Sequence, residues 1–253
     1  MIYICTVHYQ TEVWIKPQLE YIKKNFDRPY KIVACVPETR NCKDFYLESC
    51  YENDSILSYN HADKLNYLSK VVCLEAKPTD VIIFLDGDAF PIKPIGRYLE
   101  EKLNKYALIA VQRKENDGDM NPHPSFAATT VGFWEKIKGD WYPGYSWKNC
   151  HGSEVSDTGG NLLKILDDHK VNWYPLNRTN RTNIHPLWFG VYDDVVYHHG
   201  AGYRMPISRL DLKNGSIDED EFIGSVEFVR NLEAQNIVFD EIGNNVNFFE
   251  RFL

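Results

Sequence analysis

Short apolar runs of strand length alternate with stretches of helical period through the first half of the chain. "IYICTVH" (2–8), "KIVACV" (31–36), "VIIFLD" (81–86) and "ALIAVQR" (107–113) are rich in β-branched residues and predict strands. Between the first two, Ile15, Leu19, Ile22 and Phe26 share one face of a helix over 12–26. "HADKLNYLSKVV" (61–72) repeats the pattern with Leu65, Leu68 and Val72. Continuous apolar strands separated by amphipathic helices predict an α/β fold whose parallel sheet is covered on both faces. Such sheets bind ligands outside the carboxyl ends of their strands. Thr6-Val7-His8, Val36-Pro37-Glu38 and Asp86-Gly87-Asp88 stand at such ends.

The second half is less regular. Residues 114–125 carry turn formers and predict a loop, and "FAATTVGFWEKI" (126–137) reads as a strand running into a short helix. Trp141, Tyr142, Tyr145 and Trp147 crowd around Gly and Pro, as an aromatic platform for a sugar face or as a small core pinning the loop. Asp157 precedes a helix over 158–169, where its default role is the N-cap and its alternative role a general base. A β run ends in His198 and His199, then Gly200, Gly202 and Arg204. The tail opens with "IDEDE", ordinary first-turn helix chemistry, and Phe222, Val226, Val229 and Leu232 predict a packing face. With no repeat or linker, 1–253 reads as one domain: 1–113, 114–205, and a helical tail over 206–253.

Composition narrows the function. The 253 residues are 43% hydrophobic and 25% charged, as in an ordinary soluble globular protein. A net charge of −8 argues against non-specific nucleic-acid binding but leaves room for a nucleotide held through a metal. The opening "MIYICTVHYQ" has no signal-peptide pattern, and no apolar run has the length of a membrane span. Six cysteines with no C-x-x-C pair and no Cys/His metal spacing fit a reducing cytoplasm, where the N-x-S/T matches at Asn53, Asn177, Asn180 and Asn214 are chance.

The most informative stretch is "VIIFLDGDAFPI", a buried strand that ends in two carboxylates one residue apart. Their repulsion calls for a cation. Hard cations take carboxylate oxygens, and a neighbouring imidazole favours Mn²⁺ over Mg²⁺. Asp86 and Asp88 with His198, or with its rival His199, supply such a set.

This D-x-D strand end, with the strand "ICTVHY", the helix "HADKLNYLSKVV" and the late "YHHGAGYR", resembles the GT-A glycosyltransferases. The resemblance covers most of 1–205 and implies a Rossmann-like, mostly parallel sheet flanked by helices. It also implies a nucleotide-sugar donor, UDP- or GDP-linked, held through Mn²⁺ or Mg²⁺, with transfer to a carbohydrate hydroxyl. It puts Asp88 on the metal, Asp86 on the ribose or the metal, and the nucleoside against Thr6, Val7, His8, Val36 and Glu38. Gly87, Lys64 and Asn66 are further candidates on the donor side. Asp157 matches the position of the base in inverting members, with Glu154 as rival. Trp141, Tyr145, Trp147 and Glu154 fall on the acceptor side. The late segment resembles that of glycogenin-like transferases, which place a basic residue six positions after the metal His; from His198 that is Arg204. Strand alternation sends His198 and His199 to opposite faces, so one imidazole alone points at Asp88.

Two other classes use related features. Haloacid-dehalogenase-type phosphohydrolases also carry D-x-D after an apolar strand, and "VYDD" (191–194) would be their later acidic pair. A non-catalytic sugar-binding module would use the aromatics but has no need of D-x-D and His at strand ends.

Overall fold

The computed structural model describes residues 1–9, 11–37, 50–52, 60–202, 204–215 and 218–253. Glu38 lies outside the described residues. In chain order the first half comprises β1 (Ile2–Val7), α1 (Ile15–Asn25), β2 (Tyr30–Val36), β3 (Cys50–Glu52), α2 (His61–Glu75), β4 (Val81–Asp86), β5 (Ala89–Pro91), α3 (Gly96–Leu103) and β6 (Leu108–Val111). The second half comprises β7 (His123–Thr130), α4 (Val131–Ile137), β8 (Trp147–Lys148), β9 (Glu154–Val155), α5 (Gly160–Asp168), β10 (Tyr174–Leu176), β11 (Gly190–Tyr192) and β12 (Val196–His198). It closes with α6 (Arg209–Gly215), α7 (Glu219–Phe222), α8 (Val226–Asn244) and a 3-10 turn, Phe248–Phe252.

The central sheet has seven strands in the order β10-β6-β7-β4-β1-β2-β3. β1 pairs in parallel with β2 and β4, and β10 with β6, whereas β7 runs antiparallel to both of its neighbours. The sheet is therefore mostly parallel, with a single reversal that apolar periodicity could not reveal. That reversal has a consequence for function. The 112–122 connection leaves β6 at its carboxyl end, and β7 begins at His123, inside the stretch expected to be loop, beside Val111.

Both faces are buried, as continuous apolar strands demand. Alternate residues of β1 and β4 face opposite ways: Tyr3, Cys5, Val7, Ile82 and Phe84 pack with Leu65, Leu68 and Val72 of α2. Ile2, Ile4, Ile83 and Leu85 pack with Ile22 and Phe26 on the other side. A second, three-stranded sheet, β11-β12-β5, lies against an aromatic cluster of Trp14, Phe90, Tyr197, Phe248 and Phe252. The tail joins that cluster through Val238 and Ile242. The face predicted to pack is mostly open: Phe222 is buried, but Val226, Val229 and Leu232 are 69%, 43% and 41% exposed. Helical period identifies an apolar face, not whether a neighbour covers it. No described helix is long and apolar enough to cross a membrane.

One buried amide joins the strand ends. Gln18 of α1 donates through Nε2 to the carbonyls of Asp86 (2.8 Å) and Ala89 (2.9 Å). Its Oε1 accepts from Thr6 Oγ1 and His8 Nε2, each at 3.1 Å. Replacing Gln18 by Ala strands several buried polar groups, and we expect a loss of about 3 kcal/mol in chemical denaturation. A loss below about 1 kcal/mol would show that water takes over the amide's bonds.

Candidate functional site

The site is assembled by backbone pairing before any side chain meets. Val7 stands opposite Asp86 in the β1–β4 register, so the D-x-D turn leaves from the carboxyl edge of the sheet. Gly87 N–H donates to the Val7 carbonyl at 3.1 Å. A Cβ at Gly87 would lie 2.7 Å from His8 Nδ1 and 2.8 Å from the Val7 oxygen, so the tight turn requires glycine. β12 then pairs antiparallel with β5, setting His198 opposite Ala89. The chain folds back over the turn: His199 N–H donates to the Asp88 carbonyl (3.0 Å) and Gly202 N–H to Asp88 Oδ2 (3.2 Å).

This register puts His198 Nε2 at 3.4 Å from Asp88 Oδ1 and 3.6 Å from Asp86 Oδ2. One donor atom from each of Asp86, Asp88 and His198 lies within 4.8 Å of the others. His199 faces the other way. It is buried between Trp14 and Phe189, with Nδ1 at 3.0 Å from the Tyr197 hydroxyl.

Burial raises the Asp86 carboxyl above its ordinary range despite the pull of His61 and His198. For Asp88, burial pushes the same way, but His198, His199 and the Gly202 N–H outweigh it and hold the group well below that range. Burial disfavours a charged His198, yet the two carboxylates raise it above the ordinary imidazole value. Two buried carboxylates side by side thus favour positive charge next to them. Asp86 Oδ1 is buried, with the His61 imidazole beside it at 3.3 Å but no well-aligned hydrogen bond. Two carboxylates and one imidazole fit a divalent cation of the Mn²⁺ or Mg²⁺ type.

Three further residues complete the surroundings and escaped sequence reading. His61, at the start of α2, reaches Asp86 Oδ1 with Nε2 at 3.3 Å. His123 opens β7, its ring centroid 5.9 Å from that of His198. Its Nδ1 accepts the Ser125 N–H (3.1 Å), so when neutral it carries its proton on Nε2. Arg113 follows β6 and binds Asp157 Oδ2 at 2.6 Å and Asp119 Oδ2 at 3.1 Å. Burial disfavours its charge, but the two carboxylates more than compensate. The available signal was position: His61 starts a helix and Arg113 follows a strand at the sheet's carboxyl edge.

Other expected residues take different places. Asp157 is not the helix cap; Gly159, at φ 94°, holds that position, and Asp157 accepts the Thr158 N–H while pairing with Arg113. Glu154 is exposed on the short β9. Trp141 is fully buried against Phe84 and Trp134, and Trp147 is buried as well, so both belong to the core rather than to a sugar platform. Tyr145 and Tyr142 are exposed, the latter bonded to Asp63. Asn66 is spent on the same loop, donating to Asp140 (2.7 Å) and accepting the Trp141 N–H (3.0 Å). Thr6, Val7, His8 and Val36 are buried beneath the edge, where Gln18 claims the polar side chains. Lys64 is buried with its ammonium over the Tyr9 ring. Arg204 is exposed. Asp193, of the "VYDD" stretch, is bonded to Tyr98 and Tyr174 in a turn at the far end of the hairpin from His198.

No protein-family model matches the sequence, and neither does any curated protein. Solved structures resemble parts of it. S. aureus TarS 1–349 in complex with UDP-GlcNAc is 12% identical, with a TM-score of 0.45 over 73% of this chain and 60% of that one. The mannosyltransferase PcManGT of Pyrobaculum calidifontis, in complex with GDP-Man and Mn²⁺, is 10% identical, with a TM-score of 0.44 over 69% of this chain and 54% of that one. A 4-diphosphocytidyl-2C-methyl-D-erythritol synthase is 12% identical, with a TM-score of 0.42 over 70% of this chain and 88% of that one. In another structure of S. aureus TarS 1–349 the match covers 50% of that chain.

The buried histidines behind the site make stability acid-sensitive. Burial outweighs the Gln18 hydrogen bond and lowers His8 to about 4; burial likewise outweighs Asp88 and lowers His199 to about 3. Below pH 6.5 the unfolded chain binds protons that the folded chain refuses. The contribution of these two histidines is therefore full above that value and falls as pH drops toward about 4, by up to ~1.4 kcal/mol per pH unit for each. Denaturant titrations at pH 7.5, 6 and 5 should show this decline, and replacing His8 with Gln should flatten it.

Proposed function

We propose that this chain is a GT-A-type glycosyltransferase that moves a sugar from a nucleotide diphosphate to a carbohydrate hydroxyl, with inversion at the anomeric carbon. The observation that carries the reading is the Asp86–Asp88–His198 cluster at the carboxyl edge of a mostly parallel sheet. Strand ends of this kind are where α/β sheets bind nucleotides. A fixed pair of carboxylates with one imidazole is suited to holding a diphosphate through a divalent ion. When bound there, Mn²⁺ or Mg²⁺ neutralises the charge that develops on the departing nucleoside diphosphate.

The chain's own residues supply the rest. Asp88, held by the Gly202 N–H, and His198, fixed by its strand pairing, orient the cation site. His61 steadies Asp86 from the helix side. We assign Arg204, exposed beyond the two glycines, to the diphosphate oxygens, which its planar fork suits. We assign the acceptor's proton to Asp157, which is half-exposed and held by Arg113 and the Thr158 N–H. Tyr145 is the expected aromatic that remains open to an acceptor sugar. Cys5, Cys73 and Cys150 are in no disulfide, which accords with a cytoplasmic setting.

A panel of UDP- and GDP-sugars with Mn²⁺ tests the reading by donor hydrolysis. Turnover should vanish with EDTA and fall by about a hundredfold or more in Asp88→Asn, with the fold retained. Phosphate release from simple phosphomonoesters with no nucleotide-sugar turnover would move the chain to the phosphohydrolases. Binding of free sugars without either activity would make it a binding module.

In Asp157→Asn, transfer to the acceptor should fall by about 10²–10⁴-fold while nucleotide binding, read by thermal shift, stays unchanged. Equal loss of both would make Asp157 a structural partner of Arg113, and a product of retained configuration would remove its role as base.

A further inference from the structure

A second group of metal-ligating side chains lies outside the D-x-D site. Asp117, Cys150 and His151 each offer a donor atom, all within 4.8 Å of one another. Asp117 sits in the 112–122 connection, with φ 53°, followed by Gly118 at φ 81°. Cys150 and His151 form the tip of the β8–β9 hairpin. Backbone bonds already join the two loops: Cys150 N–H donates to the Asp117 carbonyl at 2.8 Å. Asn149 Oδ1 accepts the N–H of both His151 (3.0 Å) and Ser153 (2.9 Å), which fixes the tip. A Cβ at Gly118 would stand 3.3 Å from Cys150 Cβ, so the loops are in contact.

The spacing suits a metal better than it suits the side chains themselves. His151 Nε2 lies 3.5 Å from Asp117 Oδ1, longer than a good N–H···O bond. With Zn–N and Zn–O distances near 2 Å, a tetrahedral site spaces such donors about 3.3 Å apart. Lys213 of α6 binds the other oxygen, Asp117 Oδ2, at 3.0 Å, and Oδ1 faces His151. Sulfur, imidazole and carboxylate together select zinc-like ions over Mg²⁺ or Ca²⁺.

We propose that Asp117, Cys150 and His151 form a zinc site, with solvent as the fourth ligand, that pins the 112–122 connection to the β8–β9 hairpin. Binding requires the Cys150 thiolate, and the thiol proton is released to solvent. The consequence is positional. The 112–122 connection carries Arg113 and Asp119, and the chain leaving the hairpin carries Asp157, which Arg113 holds. A metal clip here would rigidify that arrangement from outside, without joining the D-x-D site.

Cobalt(II) tests this directly, because a thiolate ligand adds a near-ultraviolet charge-transfer band that oxygen and nitrogen ligands do not. The experiment uses the full chain carrying Asp88→Asn, so that the D-x-D cluster does not compete. We expect one equivalent of Co²⁺ to develop the band and Zn²⁺ to displace it. Cys150→Ser should abolish the band with the circular dichroism unchanged, since Cys150 is exposed, and His151→Ala should weaken Co²⁺ binding tenfold or more. No band, or a band that survives Cys150→Ser, would reduce the cluster to surface ion pairs. Neither outcome touches the nucleotide-sugar reading, which rests on other residues and other metals.

Discussion

The site depends on one buried amide more than on any of its charged groups. Gln18 binds the carbonyls on either side of the D-x-D turn and the two polar side chains at the end of β1. A turn that exposes two carboxylates would otherwise leave backbone groups unpaired at a buried strand end, at a cost of about 1–3 kcal/mol for each. Because Gln18 comes from α1, the helix fixes where β4 stops and β5 begins. β5 in turn fixes His198 by register. Electrostatics then acts on a frame that hydrogen bonds have already set.

That frame holds two like charges together, which a folded protein tolerates only with compensation. Asp88, with the Gly202 N–H and two imidazoles beside it, is held below the ordinary carboxylate range, whereas burial pushes Asp86 above it. The asymmetry follows from position: Asp86 ends the strand inside the sheet edge, while Asp88 sits under the folded-back 199–202 segment. The His198 imidazole lies against both carboxylates, which favour its charged form. A divalent ion supplies the same compensation with more charge.

Much of this was legible from sequence where the relevant period was local. The strands, α1, α2 and the D-x-D edge follow from apolar runs and helical faces, and the opposite facing of His198 and His199 follows from strand alternation. What depended on contacts across the fold was not legible. The direction of β7 leaves no trace in hydrophobic period, so His123 was expected in a loop and is a strand residue. Trp141 and Trp147 sit among Gly and Pro, which suggests surface, yet Phe84 and Trp134 bury the first of them. Thr6 and His8 stand at the expected edge, but an amide twelve and ten residues away occupies them. His61 was overlooked beside Lys64 and Asn66 because a helix sequence does not say which end overhangs a strand.

The small sheet makes the cluster hostage to the C-terminal segment. β5 and β12 have three residues each, too few to hold a register unaided. Their stability comes from the aromatic pile behind them, where Phe90 and Tyr197 pack on Phe248, and Tyr197 stacks with Phe252. His198 is the next residue after Tyr197, and alternation turns it the other way, toward the carboxylates. The tail therefore acts on the site without touching it: aromatic packing on one face of β12 sets the position of the imidazole on the other.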